Sequence, residues 1–425
     1  MASGHRPRAL KPRTAARADA RAEDAQGRQD AADSVLGQAE FRVVLYATGL
    51  SLCAFWMSDV ACSWLMRVMT DADPFMTSLV QLALQLPVAV VLLPAGVMTD
   101  ILDRVQLFLF AQAWMVAGTA AMWLAFVADR LSPIGLLLLI AMLGVGSALR
   151  MPNVTATVSD LVPKEQLTTA LSLTSAVING SRMVGPAVAG LILTLSGVAG
   201  VLAANVVMLV LATLWLRKLP SARAGQSALT RAVFKRSFLD GWRTMTASRE
   251  RRRLLMMTAA YSGALTVIVA LLPVLFDSSA RYGLMYTTYG AGAVCGAFAM
   301  ASLRSNRHLP LILRCGIATS ALMLLVLAAS AHPLGRGVAL FAAGASWVAV
   351  LNASQVYAAL ALSSVQRGRG MSFLFMAAIG GMALGSPCWG WLAKTWGAET
   401  SFAAAAGGLC LLFLAFRLPR PHATA

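Results

Sequence analysis

Two ionisable residues stand where ionisable residues are expensive. Asp59 falls inside the apolar stretch 43–69, and Arg182 inside the apolar stretch 168–196. A charge at the centre of a membrane-spanning helix costs roughly 2.5–3.5 kcal/mol on insertion scales, so each is expected to be paired or used. Asp59 lies 16 residues (59 − 43) and Arg182 14 residues (182 − 168) from the start of its stretch. At 1.5 Å per residue these are depths of roughly 24 and 21 Å. Opposite charges at similar depth predict an ion pair at the wall of an internal cavity. In such a pair Asp59 can take up a proton and release Arg182 for an anionic group. The alternative is a purely structural role, in which the pair joins two helices or each side chain reaches the interface by itself.

Other polar residues in apolar surroundings are cheaper to bury. Asn153, Asn179, Asn205, Asn352 and Gln355 can line a cavity or join helices. Of these, Asn179, Asn352 and Gln355, with Tyr261, are the candidates for a substrate cavity. Tyr286, Tyr289 and Trp347 can add an aromatic surface, although Tyr and Trp also mark membrane interfaces. Arg150 sits near the end of the stretch 132–154 and is expected to snorkel to the surface; a place in a gate beside Asp100, Asp103 and Arg104 is the other reading. Enzyme chemistry has no visible basis: Walker A, HExxH and GxSxG sequences are absent. The histidines His5, His308, His332 and His422 all lie outside the span centres, and the six cysteines form no CxxC pair. No metal and no cofactor is expected.

The elements that must hold these residues are set by composition. Of 425 residues, 58% are hydrophobic and only 12% charged, which suits a chain whose solvent is mostly lipid. Twelve apolar runs of span length occur, at 43–69, 75–98, 105–128, 132–154, 168–196, 198–217, 254–276, 283–303, 309–331, 335–361, 370–395 and 399–417. The net charge of +17 is not that of a nucleic-acid binder, because the bases sit in short loops between the runs. Eight Lys and Arg precede the first run, up to Arg42, and eleven lie between Arg217 and Arg253. Only Arg67, Arg130, Arg281, Arg336 and Lys394 fall on the opposite side. The positive-inside rule then predicts both termini in the cytoplasm of a bacterial inner membrane. Residues 1–40 read as a disordered tail, 41–218 and 254–418 as two six-helix bundles, 219–253 as a cytoplasmic connection and 419–425 as a second tail. Within the connection, Val233, Phe234, Phe238, Leu239 and Trp242 alternate with Lys235, Arg236 and Arg243, the pattern of an amphipathic helix on an anionic leaflet or of a plain tether. The halves also repeat: Gly185, Gly190 and Gly197 recur as Gly385, Gly390 and Gly397 at a constant offset of 200.

Several segments carry a family likeness. GVMTDILDRVQ, with Gly96, Asp100, Asp103 and Arg104, resembles the signature loop of the major facilitator superfamily, although Ile101 replaces a basic residue and Val105 and Gln106 interrupt the basic end. FRVVLYATGLSL, LVPKEQLTTALSLTSAVINGSRMVGPAVAG, YGLMYTTYGAGAVCGA and RGRG together resemble the branch that contains the enterobactin exporter and the transmembrane secretion effectors. Arg182, Gly185, Pro186 and Gly190 match its R-x-x-GP-x-x-x-G stretch; with Gly180 this is also loosely similar to an antiporter motif. The resemblance implies an all-α fold of two six-helix bundles around a central cavity, and a monomer. It also implies export of a siderophore, macrolide or similar small amphiphile in exchange for protons. An importer of the same fold, such as a lysophospholipid or metabolite carrier, and a non-transporting membrane sensor or scaffold are the alternatives. By the same resemblance, Asp100 would face the start of the eleventh helix as a cytoplasmic latch.

Overall fold

The computed structural model describes residues 34–220, 239, 241–302 and 308–416. Most of the N-terminal tail, the C-terminal tail and most of the central connection, with Val233, Phe234 and Phe238 of the proposed amphipathic helix, lie outside them. Two expectations are tested in part: residues 34–40 are packed, not disordered, with Val35 fully buried and Gln38 Nε2 donating to Gln166 Oε1 at 2.9 Å, and Trp242, in a described helical turn, sets its ring 6.4 Å from that of Phe373.

Ten described helices are long and apolar enough to cross a membrane. One of them, Leu167–Leu216, is 50 residues long. At 1.5 Å per residue it would span about 75 Å, far beyond a hydrocarbon core of about 30 Å. Its backbone breaks at Gly197 (φ 68°, ψ −167°), which makes two rods, 167–196 and 198–216. A further helix, Ser279–Ser302, is long enough but carries Tyr282, Tyr286 and Tyr289, which lower its hydropathy. Ten helices with one divided, plus this tyrosine-bearing helix, give the twelve expected rods.

In chain order they are α1 Ala39–Met69, α2 Pro74–Ile101, α3 Arg104–Val127, α4 Pro133–Leu161, α5 (167–196), α6 (198–216), α7 Arg249–Leu271, α8 Ser279–Ser302, α9 Leu309–Ala329, α10 Pro333–Ala361, α11 Ser364–Trp396 and α12 Ala398–Ala415. Local chemistry fixes several starts. Asp73, Asp103 and Ser132 cap α2, α3 and α4 by accepting backbone N–H bonds, and Pro74, Pro133 and Pro333 occupy first-turn positions where no N–H is needed. α11 begins at Ser364, so the RGRG stretch lies within its opening turns, ahead of the apolar run that starts at 370.

The glycines that repeat at an offset of 200 occupy equivalent places. Gly197 and Gly397 both adopt positive φ, 68° and 89°, a conformation glycine enters without steric cost, and each turns one helix directly into the next. A Cβ on Gly185 of α5 would come within 2.7 Å of Trp56 Cβ and 3.0 Å of the Cys53 carbonyl of α1, and Gly385 of α11 meets Gly263 of α7 in the same manner. Gly190 crosses Gly283 of α8, while Gly390 crosses Ser78 and Pro74 of α2. Under the two-fold relation α1 pairs with α7, α5 with α11 and α2 with α8, so each contact maps onto its counterpart. These are two pseudo-symmetric six-helix bundles that meet chiefly where α2 faces α11 and α5 faces α8.

Several contacts between the bundles gather at the end remote from both described termini, here called the distal end. There Lys394 Nζ lies 2.6 Å from Asp73 Oδ2, and Arg67 Nη2 lies 3.4 Å from Asp277 Oδ1. Trp64 of α1 stacks on Tyr282 of α8, centroids 5.6 Å apart, and the Arg67 guanidinium carbon lies 5.0 Å from the centre of the same indole.

Candidate central cavity

Asp59 is buried, 1% exposed, on α1 about ten residues short of its distal end. Its carboxylate accepts from Gln81 Nε2 of α2 at 2.5 Å and from Tyr286 Oη of α8 at 2.6 Å. The second bond crosses from one bundle to the other. Arg182 lies on α5, and its guanidinium carbon stands over two indoles, 5.5 Å from the ring centre of Trp56 and 5.0 Å from that of Trp347 on α10. That clamp also spans the bundles. Such cation–π contacts contribute about 0.5–2 kcal/mol each, the higher figure when desolvated. Gly185, one turn beyond Arg182, is what lets the Trp56 Cβ and the Cys53 backbone of α1 approach so closely. The R-x-x-G spacing thus has a physical reason: the arginine needs an aromatic partner, and the glycine makes room for the helix that carries it. Pro186 has no N–H to give to the Arg182 carbonyl four residues back, so the helix is loosened at the same point.

Both charged residues line one central cavity, as expected, but they do not form the expected ion pair. Among the described residues each has other partners. The reason is register: Trp56 precedes Asp59 by three residues on the same face of α1, and it is Trp56, about 4.5 Å along the axis, that lies level with Arg182. The distal part of the cavity is narrow, about 30 Å³, and is lined by Asp59, Gln81, Gln85, Ser262, Thr266 and Tyr286 among others. The larger part, about 120 Å³, lies towards the terminal end and is mostly apolar, with Leu52, Phe55, Ile178, Leu351, Gln355 and Phe375 in its wall. Trp56, Gln85, Arg182, Trp347 and Met382 belong to both.

The other expectations divide. Gln355 faces the larger chamber, and Tyr286, Tyr289 and Trp347 face the smaller one. Tyr261 does not line either: it is fully buried between α7 and α9, bonded to Ser320 at 2.9 Å, and serves packing. Asn352 is likewise outside both walls. Asn205 joins helices through Ser58 Oγ at 2.9 Å, and Asn153 donates to its own helix at Leu149. The side chains of Asn179 and Asp100 lie outside the described part, and so does the latch contact expected of Asp100. Gly96 and Gly180 have open space where a Cβ would stand.

Arg150 corrects the snorkelling expectation. α4 continues to Leu161, eleven residues past it, so the side chain is about 16 Å from the helix end and only 1% exposed. It has neither a hydrogen bond nor an ion pair among the described residues. In the signature loop, Asp103 caps α3 through the N–H groups of Val105 and Gln106. Arg104 braces the ends of α2 and α4, donating to Thr99 O at 3.2 Å and to Asp160 Oδ2 at 2.5 Å.

The residues that sequence reading missed are Trp56, Gln81, Gln85, Ser262 and Thr266. Gln81 and Gln85 carried a usable signal: two amides four apart on one face of the otherwise apolar stretch 79–98 of α2.

Comparison with known proteins agrees with this architecture. Residues 31–425 match the transmembrane secretion effector family. The Enterobactin exporter EntS of Shigella flexneri is 28% identical over 273 residues, which is 62% of this chain and 63% of that protein. Among solved structures, a peptide transporter POT mutant in complex with alafosfalin superposes with a TM-score of 0.73 at 14% identity, covering 91% of this chain and 96% of the other. The nucleoside transporter NupG gives 0.70 at 12%, covering 88% and 98%. A bacterial homologue of the human lysosomal transporter Spinster, inward-facing and unoccupied, gives 0.66 at 15%, covering 88% and 97%. With twelve rods, two bundles and a charged central cavity in place, the family match closes the assignment: this chain belongs to the transmembrane secretion effectors, membrane transporters of the major facilitator superfamily.

Proposed function

We propose that the chain exports a small amphiphilic molecule across the bacterial inner membrane in exchange for protons, by alternating access, as a monomer. The positive-inside pattern puts both termini in the cytoplasm. The distal end is then periplasmic, and the described conformation is closed on that side, with its larger chamber towards the cytoplasm. The observation that carries the reading is the Asp59 carboxylate, buried in the cavity and bonded across the bundle interface to Tyr286. Protonating it removes the charge that this bond serves, so proton occupancy and the closure of the bundles are linked. Arg182, clamped by Trp56 and Trp347, supplies the fixed positive end of the substrate site.

Enterobactin, the compound named for the relative, is the first to try. In proteoliposomes, flux should follow an imposed pH gradient and collapse with an uncoupler. Asp59→Asn should still bind substrate but lose its response to the gradient. Undiminished proton-driven flux in that variant would remove Asp59 from the mechanism, and binding without any flux in the unaltered protein would make it a sensor.

A further inference from the structure

Arg182 and Asp59 present complementary and unequal demands to whatever enters the cavity. Two indole rings lie 5.0 and 5.5 Å from the guanidinium carbon, and its Nε has no hydrogen-bond partner among the described residues. What remains for a ligand is the in-plane N–H edge, which only an acceptor can meet. Asp59, when ionised, is acceptor-only and takes donors alone. The titratable and charged groups that face it are Arg182 from α5, Tyr282, Tyr286 and Tyr289 from α8, and Cys62 from its own helix. The walls contributed by α2, α7, α10 and α11 are amide, hydroxyl, indole and apolar groups: Gln81, Gln85, Ser262, Thr266, Trp347 and Met382.

The charge balance then discriminates between substrates. With Asp59 protonated, the chamber holds the single positive charge of Arg182; with Asp59 ionised, it holds none in sum. A permanent anion therefore binds better to the protonated cavity. By reciprocity it would raise proton affinity, and substrate and proton would travel together. Exchange needs the opposite sign. A neutral ligand with a hydroxyl donor supplies it, because a hydrogen bond to a carboxylate is about twice as strong as one to a neutral carboxyl.

Resting on the exchange reading above, we propose that the cavity selects a charge-neutral amphiphile that gives an acceptor to Arg182 and a hydroxyl or amide donor to Asp59. Binding replaces the Asp59 proton: the carboxyl O–H bond breaks, the proton leaves to water, and the ligand donor bonds to the resulting carboxylate. The apolar body of the ligand fills the larger chamber, between Phe55, Ile178, Leu351 and Phe375.

Purified protein in detergent, with no gradient, tests this using three naphthalenes. Methyl 6-hydroxy-2-naphthoate has a donor and an acceptor, methyl 6-methoxy-2-naphthoate lacks the donor, and 2-naphthoate is an anion. Calorimetry from pH 5 to 8, with phenol red in weak buffer, reads affinity and protons together. The hydroxy ester should release protons and bind about tenfold more tightly once Asp59 is ionised. The methoxy ester should show neither effect. Asp59→Asn should abolish the release, and Arg182→Lys, which lacks the planar edge, should weaken the hydroxy ester about tenfold. If a variant does not fold, the pH profile of the unaltered protein decides by itself. The proposal is overturned if 2-naphthoate binds with proton uptake while the hydroxy ester releases none, or if the hydroxy ester fails to bind at any pH. Proton release without flux in proteoliposomes sinks the exporter reading and keeps this site. Uncoupler-sensitive efflux of the methoxy ester, which has no donor for Asp59, does the reverse.

Discussion

At the scale of residues, the buried charges are visible in the sequence and their partners are not. Asp59 and Arg182 are conspicuous because no other charged residue stands near the middle of their stretches. Whether two side chains at similar depth meet depends on helix rotation, and three residues of register are enough to put Trp56 at the level where an Asp59 partner is expected. Arg150 is misread from sequence for a related reason: the apolar run ends near it, but the helix does not. Its isolation in the interior leads to a prediction. A buried polar group without a partner costs about 1–3 kcal/mol, so Arg150→Met, of comparable length and no charge, should raise the thermal midpoint of the purified protein. A lowered midpoint would mean that Arg150 has a stabilising partner in another conformation. If transport falls while stability rises, the charge is kept for function.

Among the elements, the crossing of α5 and α8 depends on Gly190 and Gly283. A Cβ on Gly190 would lie 2.9 Å from Gly283 Cα, and backbone cannot yield as a side-chain tip can. Gly190→Val should hold the crossing apart and shift the protein towards distal-open states. Spin labels on the distal ends of α5 and α8 would then show a longer distance. An unchanged distance with unchanged transport would show that the crossing is not a fulcrum. The 200-residue repeat is legible because these positions tolerate so little: close approach and positive φ both ask for glycine. Element boundaries are less legible. Leu167–Leu216 is continuous in hydropathy, and what divides it in sequence is the repeated Gly197 between the runs 168–196 and 198–217, where the backbone does break; α8 is divided from its neighbours clearly but is diluted by its tyrosines.

For the molecule as a whole, two ion pairs bridge the bundles at the distal end, and one of them titrates outside the membrane. Burial alone would raise the pKa of Asp73; the hydrogen bond from Lys394 and the N–H groups of Met76 and Phe75 outweigh it and hold the carboxyl below its usual range. A depressed carboxyl contributes its stabilisation fully above the ordinary carboxylate pKa and loses it as pH falls through the lowered value. Acidifying the distal side through and below the carboxylate range should therefore loosen distal closure, by the roughly 0–1 kcal/mol typical of an exposed pair. Lys394→Gln should mimic this at neutral pH, read as increased labelling of a cysteine placed at Ser78; equal labelling at all pH values in both proteins would rule the pair out as a latch. The fold class is readable from apolar runs and loop charge, since lipid imposes both on any chain of this kind. The cavity is not, because its walls come from eight helices whose facing sides no single stretch reveals. The two glycine turns have a practical consequence. With one residue between α5 and α6 and one between α11 and α12, the distal surface offers no insertion point there for an epitope, a protease site or a reporter fusion. Surface probes on that side have to use the stretches 70–73, 128–132, 276–278 or 330–332, where chain outside the helices already exists.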